Sequence, residues 1–342
     1  MNLRTVLFIL GILLSILGIT MLLPAIFQLY IGESVEGFLT SSFITIFIGL
    51  LLILANFYNE KNINLQEAFI LTSSSWLGIA LFGSLPFLFS NLELSLSDAL
   101  FESMSGITTT GSTVINDLDS APKGILLWRA LLQWLGGIGI IVMAITILPF
   151  LGVGGMQLFQ IESATASEKI LPKTKEISFK IFYIYFSLTF LCFLFYYLAG
   201  MNVFDAVAHS MTTIATGGFS THNESIGFFK NPLIEIISII FIVLGSLPFI
   251  TYLKFVMGEK KIFLLDSQIR GFLFLILISI LVMFLYLVVN QDLGLLKNLR
   301  IASFNVVSIL SGTGYVTSDF SLWGNFPLIF FLVLMFIGGC AG

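Results

Sequence analysis

Apolar runs long enough to cross a lipid bilayer constrain this chain more than any other feature. They fall near 5–30, 38–58, 67–90, 124–150, 178–200, 232–256, 270–290 and 326–342. A bilayer core takes about 20 apolar residues per helix. Within it each peptide group must bond inside its own segment or a closed barrel. Runs of this length give helices, so the expected fold class is an all-α polytopic membrane protein. Composition agrees: 57% of residues are hydrophobic and only 10% are charged, whereas a soluble domain carries about a quarter charged. The opening run MNLRTVLFILGILLSILGITMLLPAIF is too long for a signal-peptide core and lacks a clean cleavage site, so it reads as a retained first helix. Cys192 and Cys340 both lie in apolar runs and read as reduced packing residues.

Charge sets the expected orientation. Arg4, Lys61, Lys169, Lys173, Lys175, Lys180, Lys254, Lys260, Lys261 and Arg270 fall on one side of the predicted spans. Lys123, Arg129, Lys230, Lys297 and Arg300 fall on the other. The positive-inside bias then makes the N-terminus cytoplasmic. Acids run the opposite way, with Glu93, Asp98, Glu102, Asp117, Asp119, Asp205, Glu224, Asp292 and Asp319 among those outside. A carboxylate-rich face attracts cations.

Three outer connections, about 91–123, 201–231 and 291–325, are longer than a simple turn requires, and they repeat. Residues 98–111 read DALFESMSGITTTG, 205–218 read DAVAHSMTTIATGG and 301–314 read IASFNVVSILSGTG. The first two share Asp98/Asp205, Ala99/Ala206, Ser103/Ser210, Met104/Met211, Ile107/Ile214, Thr109/Thr216 and Gly111/Gly218. The third matches the first at Ala302, Phe304, Ser308, Thr313 and Gly314. All three end on glycine at one register, between two apolar spans.

Each block predicts a re-entrant hairpin. About ten helical residues cover roughly 15 Å, half of the bilayer core. Asp98 and Asp205 are the expected N-caps. The chain then leaves helix at the Thr/Gly cluster. Irregular backbone at that depth is tolerated only where it is buried in protein or lines a water-filled cavity. Glycine lets carbonyls approach a central axis, and a ring of carbonyls replaces a cation's water shell. The candidate cation-binding residues are Thr108, Thr109, Thr110 and Gly111; Ala215, Thr216, Gly217 and Gly218; and Ser311, Gly312, Thr313 and Gly314.

The unit of outer helix, pore helix, filter loop and inner helix, with TTTGS, ATGGFS and SGTGY as filters, resembles the TrkH/KtrB superfamily of potassium transporters. The stretch 128-WRALLQWLGGIGIIVMAITILP-149 resembles that family's first inner helix. The two helices before the first repeat resemble the extra N-terminal hairpin of its TrkH branch. The ending 335-MFIGGCAG-342 resembles the start of the glycine-rich break in its third inner helix. The resemblance divides the chain into an N-terminal hairpin at 1–62, pore repeats at 63–160 and 161–262, and an incomplete third repeat at 263–342. It implies potassium as the transported ion, no covalently bound cofactor, a four-repeat pore, a homodimer in a bacterial inner membrane, and a cytosolic nucleotide-binding regulatory subunit similar to TrkA. It also makes Gly338, Gly339 and Gly342 a candidate gate, with close helix packing as the alternative. The chain is expected to be a piece cut before a fourth repeat, and not to conduct selectively alone.

Other polar residues have two readings each. Glu102, His209 and Asn305 occupy one column of the repeat and either brace the filters from behind or bond nearby backbone. Arg129 either pairs with Asp117, Asp119 or Glu102, or snorkels to the interface. His222 reads as a solvated loop residue. Lys169 to Lys180 either dock a regulator or merely orient the chain. The glycines of 152-GVGG-155 lack the spacing of a dinucleotide fingerprint. No nucleophile, metal cluster or phosphate loop appears, so an enzyme is not expected, nor a nucleic-acid partner. The competing functions are a sodium-permeable member of the same superfamily, a secondary transporter with a midplane site at broken helices, and a membrane scaffold without transport.

Overall fold

The computed structural model describes residues 3–57, 65–151 and 170–338. Among them the regular structure is helical, with no strand. The first apolar run forms α1 (Leu3–Thr20) and α2 (Leu22–Ile31), and the second forms α3 (Glu36–Ala55). α1 packs along α3 through small residues. The Ser42 hydroxyl donates to Gly18 O at 2.7 Å, and a Cβ on Gly11 would stand 2.7 Å from Gly49 O. Close backbone approach through small residues is how helices associate where lipid removes the hydrophobic drive. Outward, the same helices expose Leu39, Phe43, Phe47, Leu50 and Leu54, as a lipid-facing surface does.

Three successive groups of helices follow. The first is α4 (Leu65–Gly83) with the short α5 (Leu85–Leu88), then α6 (Leu96–Ile107) and α7 (Lys123–Leu151). The second is α8 (Ile170–Leu198), α9 (Val203–Ile214), α10 (Pro232–Ser246) and α11 (Phe249–Val256). After α12 (Ile262–Leu265), the third is α13 (Ser267–Asn290), α14 (Leu295–Leu310) and α15 (Asn325–Ile337). Among the described residues, five helical segments are individually long and apolar enough to span a membrane; α10 with α11 makes a sixth as a bent pair. The chain is thus a multi-pass membrane protein.

The groups pack in rotation. α7 lies against α9, and α10 lies against α14. The last helix of one group therefore supports the short helix of the next.

Two expectations need correction. The run 232–256 is not one straight span: α10 and α11 meet at 86°. Leu247 is extended, with φ −77° and ψ 149°, because a residue preceding proline is pushed out of the helical region. Pro248 also lacks the amide that a continuous helix requires. Tyr252 O–H donates to the freed Leu244 carbonyl at 2.6 Å. Second, the short helices are capped three residues before Asp98 and Asp205. Ser95 and Asn202 are the caps, accepting from Asp98 N at 3.2 Å and Asp205 N at 2.8 Å. The aspartates answer from the third helical position. Ser95 O–H donates to the Asp98 carboxylate at 2.6 Å, and Asn202 Nδ2 donates to that of Asp205 at 2.7 Å. This is a variant of the capping box, with aspartate in place of glutamate and the cap's side chain in place of its backbone amide.

Candidate functional site

α6 and α9 end in the same way, whereas α14 closes with Gly312 N donating to Ile309 O (3.1 Å) and Gly314 N to Ser308 O (3.2 Å). Thr109 N donates to Gly106 O (3.0 Å) and Thr110 N to Ser105 O (2.9 Å). Thr216 N donates to Thr213 O (3.0 Å) and Gly217 N to Thr212 O (2.9 Å). Paired bonds of this pattern form a Schellman motif, whose pivot residue must be left-handed. The pivots are Thr109 at φ 56°, Thr216 at 49° and Gly312 at 79°, one register position in three repeats. Two residues on, Gly111, Gly218 and Gly314 are again left-handed, at φ 80°, 75° and 84°. Threonine is β-branched and pays for this conformation, so the repeat holds its turn against local preference twice.

The twelve predicted residues lie in these three turns, and the turns touch in sequence order. A Cβ on Gly111 would collide with Gly217 O, and one on Gly218 with Thr313 O. Glycine is required there by crowding as well as by φ. Around Gly312 and Gly314 the same test meets nothing within 4 Å. The second turn, with a neighbour on each side, is the most enclosed: Ala215, Thr216 and Gly217 are all buried. The turns also reach well into the bundle. A Cβ on Gly136, 13 residues into α7, would collide with Ile107 O at the end of α6. At 1.5 Å per residue, that is about 20 Å from the start of α7.

Side chains behind the turns bind them together. Glu102 accepts from Thr113 O–H at 2.9 Å and Val114 N at 3.0 Å, just past the first turn. Arg129 on α7 is 1% exposed and pairs with Glu102 at 2.6 Å. Its NH1 donates to Ser220 O at 2.8 Å, and its guanidinium lies 4.0 Å over the Phe219 ring. Arg129 is therefore no snorkelling residue; it joins the exit of the first turn to that of the second. His209 Nε2 lies 2.9 Å from Ser220 Oγ, and Asn305 Nδ2 donates to Thr317 Oγ1 at 3.2 Å. The column Glu102, His209 and Asn305 thus reaches the segment beyond each turn, and His209 and Asn305 also bond backbone one helical turn back, at Asp205 O and Ile301 O. A second column was not anticipated. Ser105 O–H donates to Ser112 O at 2.6 Å, and Ser308 O–H to Tyr315 O at 2.7 Å.

The loops above the turns interlock in the same order. His222 is no freely solvated residue. Its Nδ1 stands 2.7 Å from Asp119, its Nε2 3.2 Å from Asp205, and its ring stacks on Phe228. Burial alone would lower its pKa, but hydrogen bonds and charge from Asp205 and Asp119 outweigh it and hold the imidazole above its ordinary value. Asn223 accepts from Leu118 N at 2.9 Å and donates to Asp117 at 3.1 Å. Hydrogen bonds from Ser120 and Asn223 lower the Asp117 carboxyl. Gly227 N donates to Val316 O at 3.1 Å, tying the second loop to the third.

A family model described as a cation transport protein, TrkH, matches residues 34–342. The chain belongs to the TrkH family. Among its relatives is the Trk system potassium uptake protein TrkI of Halomonas elongata, 44% identical over 277 residues, which cover 81% of this chain and 56% of that one. The TrkH protein of the same organism is 40% identical and covers all of this chain and 72% of its own length. The crystal structure of the potassium transporter TrkH from Vibrio parahaemolyticus superposes with a TM-score of 0.91 at 36% identity, over all of this chain and 71% of that one. Members of the TrkH family are transport proteins and not enzymes. Of the candidate gate residues, Gly338 ends α15 in a left-handed conformation at φ 63°. Gly339 and Gly342, like Cys340 and Lys169, lie outside the described residues. Cys192 is buried and free. Lys180 pairs with Glu176 one turn away, at 2.6 Å.

Sequence reasoning missed Gln133. This side chain is fully buried on α7, one turn beyond Arg129. It donates to Gly217 O at 2.6 Å and accepts from Phe219 N at 3.0 Å. The available signal was an Arg and a Gln four residues apart in an apolar helix, where polar groups are costly and turn inward. Of the predicted lining carbonyls, that of Gly217 is held by the Gln133 amide, and that of Ala215 accepts from the Thr216 hydroxyl at 2.8 Å.

Proposed function

We propose that this chain is the pore-forming part of a potassium uptake system of the bacterial cell membrane. Backbone oxygens of 108–111, 215–218 and 311–314 replace the hydration shell of a potassium ion, with Gly217 turned to a supporting role. The carbonyl ends of α6, α9 and α14 point their partial negative charge towards the ion. Asp117 and Asp119 concentrate cations at the mouth. The repeats run 63–160, 161–262 and 263–342, preceded by the hairpin 1–62. The N-terminus is cytoplasmic, the assembly is a homodimer, and a cytosolic TrkA-like subunit regulates it.

The observation that carries this function is the doubly left-handed backbone at one register of all three turns. Alternating hand keeps a segment out of helix and strand alike and leaves carbonyls free to face an ion. Strain of this kind is retained where the surroundings impose it and tends to mark functional sites. The relatives' names, Trk system potassium uptake proteins, support potassium as the cation. The test places Gly111→Ser and Gly218→Ser in the intact protein, in cells lacking their own potassium uptake, and follows radiolabelled rubidium and sodium. A changed rubidium-to-sodium ratio is expected. Unchanged uptake and ratio in both variants, at normal expression, would overturn the assignment.

A further inference from the structure

We infer that Gln133 is a positioning residue that sets the cation preference of the second turn. The inference rests on the filter function proposed above and adds to it. Gln133 makes two bonds to one short stretch. Its Nε2 holds the Gly217 carbonyl at 2.6 Å, and its Oε1 holds the Phe219 amide at 3.0 Å. Gly218 lies between these two peptide groups, so both peptides flanking its α-carbon are pinned by one amide. The space is tight, since a Cβ on Gly217 would collide with the Gln133 amide. Gly217 O in turn presses on the α-carbon of Gly111 in the first turn. The spacing between the first two turns is therefore set through Gln133.

The amide is matched to this task. One end donates and the other accepts, and the carbonyl and the N–H it meets require that polarity. Arg129, one helical turn earlier, fixes Ser220 O at 2.8 Å and covers Phe219. The exit of the second turn is thereby held along 217–220 from a single face of α7. That helix belongs to the preceding repeat, so selectivity at one turn depends on a neighbour's side chain. Discrimination between cations of different radius requires that carbonyl separation resist relaxation around the smaller ion. Pinning the peptides on both sides of the Gly218 α-carbon gives the neighbouring Thr216 and Gly218 carbonyls that resistance; on an unpinned segment they collapse inward.

Gln133→Glu and Gln133→Met separate the two bonds. Glutamate keeps an acceptor for Phe219 N but sets a carboxylate oxygen against Gly217 O. Methionine keeps the length and loses both bonds. The intact protein carrying each change is assayed for rubidium and sodium uptake in cells lacking potassium uptake, with Gly218→Ser alongside. Purified protein in detergent is melted in potassium and in sodium to read ion-specific stabilisation. The expected result is a fall of about tenfold in the rubidium-to-sodium ratio for both variants, the scale of losing one buried hydrogen bond, and a smaller gap between the potassium and sodium melting points. A ratio and gap equal to wild type in either folded variant overturn the inference. If one variant fails to accumulate, the other decides, and the melting gap is read on whatever folded protein remains. If Gly218→Ser shifts the ratio and neither Gln133 variant does, only the role of Gln133 falls. If Gly218→Ser and Gly111→Ser are both silent as well, the filter function falls with it.

Discussion

Gly218→Ala separates two reasons for glycine in the turns. The first is conformational: at φ 75° an L-residue pays about 1–2 kcal/mol for left-handed backbone. The second is steric, because a Cβ at this position collides with the Thr313 carbonyl of the neighbouring turn. Overpacking a close contact costs about 1–3 kcal/mol, and a backbone carbonyl cannot rotate away as a side chain does. The two together give about 2–5 kcal/mol. Gly32, after α2, is the matched control. It has φ 79° and ψ 19° with nothing within 4 Å of the added carbon, so Gly32→Ala carries only the conformational cost. Thermal unfolding of each purified variant in detergent, followed by loss of monodisperse protein, should rank wild type above Gly32→Ala and Gly32→Ala above Gly218→Ala. Equal midpoints for the two variants would refute crowding between turns as a reason for glycine at 218.

Two further outcomes follow from the side chains behind the turns. Arg129→Met strands the Glu102 carboxylate, which is 0% exposed; breaking a buried pair from one side costs about 3–5 kcal/mol. Arg129→Met combined with Glu102→Gln should recover much of the lost melting temperature, and a double variant no more stable than the single would contradict the pairing. For His222, the raised pKa means the folded state favours the imidazolium. Its stabilisation is fully present below about pH 6.5, the unfolded value, and is lost as pH rises through the higher folded value. The melting-temperature gap between wild type and His222→Gln should therefore be widest in mild acid and narrow above neutrality; a gap independent of pH would discount the bridge to Asp119 and Asp205.

What sequence could reach was set by range. Span lengths and the glycine register are local patterns, and both carried through to the helices and to the left-handed positions. The caps were legible too, but three residues earlier than expected: SLSD at 95–98 and NVFD at 202–205 fit a capping box, in which the acid is the second partner and not the cap. Pro248 marked the break between α10 and α11, yet the hydropathy of 232–256 runs through it without a dip. The partners of Arg129, Gln133 and His222 were beyond reach for a different reason. They lie 27 to 103 residues away for most of these bonds, and no periodicity encodes a contact between repeats.

The pivot residues carry the argument one step further. Thr109, Thr216 and Gly312 occupy one register and one left-handed conformation. Glycine adopts it freely, whereas threonine is strained by about 1–2 kcal/mol. Were the fold alone at stake, glycine would serve in all three places, as it does at 312. The two threonines therefore offset their strain with something glycine cannot supply, a hydroxyl and a methyl beside the carbonyls of the first two turns. Around the glycine pivot of the third turn, Ser311 and Thr313 hydroxyls lie 2.8 Å apart on either side of Gly312, as Thr108 and Thr110 do around Thr109, also at 2.8 Å. The hydroxyl pair bracketing the pivot is thus common to the first and third turns. In the second, Ala215 and Gly217 leave Thr216 as the sole hydroxyl among the three positions, and Gln133 on α7 holds the Gly217 peptide from behind.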